Sequence, residues 1–332
     1  MRKFYCPVRL GLAIAFLGAM LPLSAQVPKT VLVGILSGAS LSTPANAYFR
    51  EAFVESMRQK GWVEGQNLIV EARATEGKTE RYAEFAGELV ASNVDVVIGS
   101  NSQAVQALKA KTATVPIVML DASNPVEAGF VISLSRPGGN ITGVTPQLDE
   151  VNAKAIEALK ELRPTIDRIG VLYTPSNIGS SLVLEQSVRS SVRLGIKVFP
   201  IPIDNVADIA TAFTIIDQEK LVALHVHPTP IINLNRSRIA SLAIERGILT
   251  ATGYSTLVRD GMLMSYGPDQ VDSWRGAASF VDRILRGAKP AEMPVERPTK
   301  FLFVINLKTA KALDVVFPSQ LLFRADEVIE GP

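Results

Sequence analysis

The chain predicts an α/β protein built as two doubly wound lobes, and three observations carry that reading. Short apolar runs alternate with helix-length segments. The alternation stops at Arg136-Pro137-Gly138-Gly139-Asn140 and then starts over. A last stretch after Gly261 holds one long helix pinned between two strand-like runs, too few elements for a third domain. Apolar runs without polar alternation indicate parallel strands covered on both faces. A length of 332 residues allows two domains of ordinary size, and a hydrophobic content of 47% supplies two cores.

The elements follow in order. Residues 29–36 (KTVLVGIL) form a continuous apolar strand ending at Ser37-Gly38, and 46–60 the helix after it. Residues 68–74 alternate weakly, as a strand, and 81–91 follow as a helix. Residues 94–98 make a strand ending at Gly99-Ser100, 103–112 a helix and 116–120 a strand. The second series runs helix 152–162, strand 168–173, helix 180–194, strand 197–203, helix 208–216, strand 221–225, helix 233–246 and strand 249–252. After it come strand 262–265, helix 270–286 and strand 301–305. The economical arrangement has the chain cross back, so that the helix completes the first lobe and the strand and tail complete the second. The lobes are then 27–143 plus 267–297, and 144–266 plus 298–330. Gly138, Gly139, Gly267 and Pro298 are the expected hinge positions, glycine because it permits the backbone changes that closure needs.

Residues 1–25 read as a secretory leader. Arg2, Lys3 and Arg9 precede an apolar run at 10–21, and Pro22 and the small pair Ser24-Ala25 follow, which places cleavage near Ala25. A dozen apolar residues are too few for a bilayer that needs about 20. Cys6, the single cysteine, lies before the apolar run, so the chain is not expected to be a lipoprotein. The mature protein has no thiol and no cysteine-based metal site. Its expected location is the periplasm. The formal charge of +2 becomes −1 once the three leader cations are gone, a balance that points away from nucleic acid and membrane surfaces.

Ligands of open α/β sheets gather at the carboxyl ends of strands. In the first lobe those ends carry Ser37 and Gly38, then Ser100, Asn101 and Ser102, then Asp121 and Asn124. In the second they carry Tyr173, Ser176 and Asn177, then His227 and Thr229, then Tyr254. Hydroxyls and amides before helices suit a carboxylate or another small anion, but for any single one of them plain helix capping is the better-supported reading, since capping alone explains that composition. Asp121 reads either as the holder of a ligand ammonium or as the cap of the next turn. His225 and His227 face one way as half a metal site, with no further ligand nearby, so no metal is expected. Trp62 and Trp274 stand away from the strand ends and read as packing residues. No nucleophile elbow, phosphate loop or cofactor fingerprint is present, which argues against an enzyme and against a cofactor.

Several motifs belong together: GWVEGQN, IVEARATEGKTERYAEFAGELV, VDVVIGSNSQAVQALKAKTATVPIVM, NPVEAGFVISLSRPGGNITGV, GMLMSYGPD and PTKFLFVINLKTAKAL. In combination they resemble the substrate-binding proteins of ABC importers, the family that includes tryptophan-type receptors, over 30–330. The resemblance implies the type I periplasmic binding fold, with two Rossmann-like lobes and three crossovers. It implies a receptor that closes on a small solute and delivers it to an inner-membrane permease driven by a cytoplasmic ATPase. The family often has Asp-Pro where this chain has Asn124-Pro125. Asn124 cannot supply that charge, and whether Asp121 substitutes for it stays open. The same fold would also serve a sensor coupled to a signalling partner. A monomer is expected, because one cleft per chain needs no second copy.

Overall fold

The structure is a computed structural model. It describes Met1 and residues 30–330, apart from 45, 147 and the side chains of 148–150. Residues 2–29, including Cys6 and Ala25, lie outside the described residues, and with them the expected leader.

The first lobe opens with β1 (Val31–Ser37), α1 (Ala47–Gln59), β2 (Leu68–Ala74), α2 (Arg81–Ala91), β3 (Val96–Gly99), α3 (Ser102–Lys111), β4 (Ile117–Met119) and β5 (Ile141–Gly143). The second continues with α4 (Leu148–Leu162), β6 (Arg168–Tyr173), α5 (Ile178–Val192), β7 (Lys197–Pro202), α6 (Asp208–Gln218), β8 (Ala223–Val226), α7 (Pro230–Leu234) and α8 (Arg236–Glu245). Then come β9 (Leu249–Thr252), α9 (Ser255–Arg259) and β10 (Met264–Pro268). The tail holds α10 (Gln270–Leu285), β11 (Phe301–Asn306), α11 (Leu307–Ala312), α12 (Ser319–Arg324) and β12 (Glu327–Ile329). Among the described residues no helix is long and apolar enough to cross a membrane.

Two sheets result. The first is parallel throughout, in the order β2-β1-β3-β4-β5. The second has the order β12-β11-β10-β9-β8-β6-β7, with β11 antiparallel to β10. The expected two-lobed α/β fold is thus present. The inner strands β1, β3, β4 and β8 are buried on both faces, which is why they are the most apolar runs, whereas the outer strands β2, β7 and β12 keep exposed or half-buried residues. On one face of the first sheet Phe53 and Met57 of α1 pack against Trp274, Phe280 and Val281 of α10. On the other, Phe85 and Leu89 of α2 meet Val105 and Leu108 of α3. Burying each such large side chain stabilises the fold by roughly 1.5–3 kcal/mol. The second sheet is covered on one face by Ile209, Phe213, Ile232 and Ile239, and on the other by Ile156, Leu159 and Phe317.

Three strands of chain join the lobes, and they run side by side. The first crossing is Val144–Pro146, where Thr145 N–H donates to the Glu296 carbonyl at 3.0 Å. The second is at Pro268-Asp269 and the third covers 297–300. Asp269 N–H donates to the Lys300 carbonyl at 3.0 Å, and Lys300 Nζ pairs with Asp269 Oδ2 at 2.7 Å. Pro298 lies in the third crossing. Gly267 lies inside β10, one residue before the second.

Gly138 and Gly139 are corrected. They sit before β5, at the opposite end of that strand from the crossing. Gly138 turns the chain with a φ of 78° and donates its N–H to Ala291 O at 3.2 Å. A glycine pair marks a tight turn, and only the strand that follows decides where that turn falls. Other differences are local. The helix expected over 233–246 is broken at Asn235 into α7 and α8. The strand β5, the short helices α9, α11 and α12, and the strand β12 have no counterpart in the sequence reading.

Candidate functional site

The carboxyl ends of both sheets face each other across a cleft, and the lobes touch around it. Gly38 of the first lobe approaches Pro230 of the second so closely that a Cβ on it would lie 2.6 Å from the proline ring. Gly179, in the first turn of α5, lies against Ser102 and Ser123 of the first lobe. The lobes are therefore closed on each other.

Two cavities remain between them. An inner one of about 30 Å³ is bordered by Asn101, Ser102, Asp121, Asn152, Asn177 and His227. An outer one of about 110 Å³ is bordered by Ser37, Gly38, Ser100, Phe49, Trp274 and Arg236. Asp121, Asn101 and Tyr254 border both.

Local structure explains these positions. Asn101 and Asn177 cap α3 and α5, each side chain accepting from the backbone N–H three residues on. Asn101 also donates to the Tyr82 hydroxyl at 2.9 Å, and burial pushes that phenol up to about 12. Capping and cavity-lining thus coincide in the same side chains. Ser102 Oγ accepts from Ser123 N–H at 3.0 Å.

Asp121 is the electrostatic centre. It stands two residues past β4 in a left-handed conformation with φ 50°. Burial raises its carboxyl to about 6, against the lowering effect of hydrogen bonds from Tyr254 of the second lobe and Gln270 of α10. Its Oδ1 has no donor, and neither does Gln270 Oε1. The Tyr254 phenol is pushed far up, by burial first and by the Asp121 charge second. Burial lowers His227 to about 3 and His225 to about 4, so both rings are neutral near pH 7. His225 lies beneath the cleft with its Nδ1 3.5 Å from Ser187 Oγ. Among the described residues no three His, Cys, Asp or Glu side chains converge as a metal site.

Not every strand-end residue reaches the cavities, and four expected lining positions are corrected. Asn124 forms a turn with φ 45°, its carbonyl accepting from Ala128 N–H. Ser176 is exposed, with its N–H on Asp204 Oδ1. Thr229 is turned inward onto the Thr174 hydroxyl at 2.7 Å. Tyr173 is half-buried and borders neither cavity. Other residues border them without having been expected: Phe49, Asn152, Arg236, Gln270 and Trp274. They stand on helices that the fold brings over the strand ends, so no strand-end signal marks them. Trp274 does pack in the core, stacked with Phe49 at 6.2 Å, but it also borders the outer cavity.

Residues 34–329 match the family described as ABC transporter substrate binding protein. A tyrosine-binding protein of Clostridioides difficile (strain R20291) is 25% identical over 266 residues, covering 80% of this chain and 76% of that protein. Among solved structures, an ABC domain in complex with L-Trp from Streptococcus pneumonia superposes with a TM-score of 0.83 at 26% identity, covering 91% of this chain and all of that one. A conserved domain protein from Vibrio cholerae gives 0.84 at 26% identity, covering 90% of this chain and all of that one.

Proposed function

This chain belongs to the ABC transporter substrate-binding proteins, and from that premise we propose that it is an exported receptor for an amino-acid-like solute. It captures the solute in the interlobe cleft and delivers it to a membrane permease driven by a cytoplasmic ATPase. One observation carries the solute class. Asp121 Oδ1 and Gln270 Oε1 are buried oxygens without donors on the border of the same cavity. Buried acceptors left unpaired cost about 1–3 kcal/mol each, more when charged, and a solute ammonium supplies what both lack. On the inner side Asn152 Nδ2 is a buried donor without an acceptor, beside the N-termini of α3 and α5. That side suits a carboxylate.

The proteins solved or described with tyrosine and tryptophan support an amino acid as the ligand class. The solute touches Asp121 on one lobe and Tyr254 on the other, so its binding favours the closed state. Asn101, Ser102, Asn177 and His227 complete a neutral polar wall. The working unit is a monomer in the periplasm, freed of residues 1–25. Isothermal titration against the twenty amino acids tests this reading. At least one binds at micromolar or better affinity, and the corresponding decarboxylated and deaminated analogues bind at least tenfold more weakly. An amino acid bound no better than its deaminated analogue contradicts the role of Asp121.

A further inference from the structure

The outer cavity holds a cation that the ammonium and carboxylate sites leave unused. Arg236 is the first residue of α8 and is only 20% exposed. Among the described residues bordering the two interlobe cavities, Asp121 is the acid and Arg236 the cation. They do not bond each other. Asp121 borders both cavities, whereas Arg236 borders only the outer one, so the two charges stand at different distances along the cleft.

The guanidinium is held in place. Its Nε pairs with Asp260, and its Nη1 donates to the Asn233 carbonyl at 2.9 Å. Those anchors engage two of its three nitrogens, and among the described residues Nη2 is without an acceptor. A guanidinium fixed on two sides loses little freedom when it takes a further acceptor, and its geometry matches carboxylate and phosphate oxygens. Phe49 and Trp274 border the cavity alongside it. Beyond, Phe49, Thr256 and Gln270 also border a cavity of about 330 Å³ on the hinge side, where Arg259, Arg275 and Lys300 stand. Arg259 pairs with Glu327 and Lys300 with Asp269, while Arg275 has no ion pair among the described residues. Along the route from Asp121 outward, then, Arg236 is the cation of the outer cavity, and beyond it three cations, Arg259, Arg275 and Lys300, stand with one acid, Asp269.

We propose that the solute is an amino acid whose side chain ends in a second acid, carried past Phe49 and Trp274 to Arg236. This rests on the ammonium reading of Asp121 and adds Arg236 as the residue that sets side-chain specificity. The second acid is a carboxylate or a phosphate, which share the recognition chemistry.

Two matched pairs of probes test it by isothermal titration: L-glutamine with L-glutamate, and L-tyrosine with O-phospho-L-tyrosine. In at least one pair the acid-ended member binds at least tenfold more tightly, and which pair does so separates carboxylate from phosphate. In Arg236→Gln that preference falls to about one, and in Arg236→Lys it is partly retained. The preference also shrinks with added salt. Equal binding within both pairs, a preference for the neutral members, or a preference that survives in Arg236→Gln overturns the inference, and so does the absence of binding by all four probes. The Asp121 reading is judged separately, by the comparison with deaminated analogues, and stands if that comparison holds.

Discussion

Gly179 of α5 rests directly on Ser102 of α3, across the cleft from one lobe to the other. A Cβ at Gly179 would overlap the Ser102 hydroxyl and lie 3.1 Å from the Cβ atoms of Ser102 and Ser123. Ser102 cannot swing aside freely, because its hydroxyl accepts the Ser123 N–H at 3.0 Å. Gly179→Ala is therefore expected to hold the lobes apart while favouring α5 itself by up to about 1 kcal/mol of helix propensity. Titration should record at least a tenfold loss of solute affinity. Small-angle scattering should find a larger radius in the presence of solute than for the wild type. Unchanged affinity would mean that the lobes do not close this far on the solute.

Asp121→Asn removes the charge without removing the shape. An ammonium that loses a buried, hydrogen-bonded acid partner loses about 2–5 kcal/mol. The variant should bind an amino acid at least thirtyfold more weakly. The ligand-free protein should melt no lower than the wild type, because a buried carboxyl without enough donors is a cost that the amide relieves.

Stability against pH separates the buried acid from the buried histidines. Asp121 has a folded value of about 6, raised by burial above the ordinary 3.8, so between pH 4 and 6 the folded state holds a proton that the unfolded chain has released. On its own this lowers stability as pH rises through that window. His225 and His227, lowered to about 4 and 3, stay neutral in the fold while the unfolded chain charges them below about 6.5, which raises stability as pH rises. Two protons on the unfolded side against one on the folded side leave a net gain of about 1.4 kcal/mol per pH unit from 4 to 6. Denaturant unfolding at several pH values measures the total slope, to which other shifted carboxylates such as Glu55 and Asp269 also add, and in Asp121→Asn that slope should be steeper than in the wild type by about 1.4 kcal/mol per pH unit. Solute affinity has its own signature. It should climb about tenfold per unit up to pH 6 and then level off, since a solute ammonium competes with the Asp121 proton.

Gly267→Ala should fail for a reason unlike that of Gly179→Ala. A Cβ there would penetrate the Gly253 backbone, with the carbonyl carbon at 2.7 Å. Strands β9 and β10 must then part next to the second crossing. We expect a loss of about 3 kcal/mol or more by denaturant unfolding. A loss under 1 kcal/mol would show that the crossing yields easily.

The sequence made most of this fold legible because parallel, doubly covered strands leave unbroken apolar runs, as 31–36 and 221–224 do. It placed Asp121, Asn101 and Asn177 at strand ends because each ends a run and begins a helix or turn. It misplaced the first crossing alone, because Gly138-Gly139 carries a strong turn signal, whereas Thr145-Pro146, where the chain does cross, carries a weak one. Arg236 and Gln270 escaped notice, and Trp274 was read as packing alone, because helices from distant segments deliver them to the cleft. Their positions follow from which lobe α10 joins and where α8 begins, and neither is written in local composition. Asn124 follows Ser123, and Thr229 lies between Pro228 and Pro230, all of which border a cavity, so only backbone geometry distinguishes them.

Helix α10 begins more than two hundred residues after α1, yet Trp274 lies edge-on to Phe53 at 6.4 Å and Phe280 joins the same cluster. A ribosome or translocon releasing this chain from its amino end delivers every strand of the first sheet long before the helix that seals one of its faces. Until then that face is open and greasy. Fragments ending before residue 270 should therefore be obtained insoluble, because they expose that apolar face permanently.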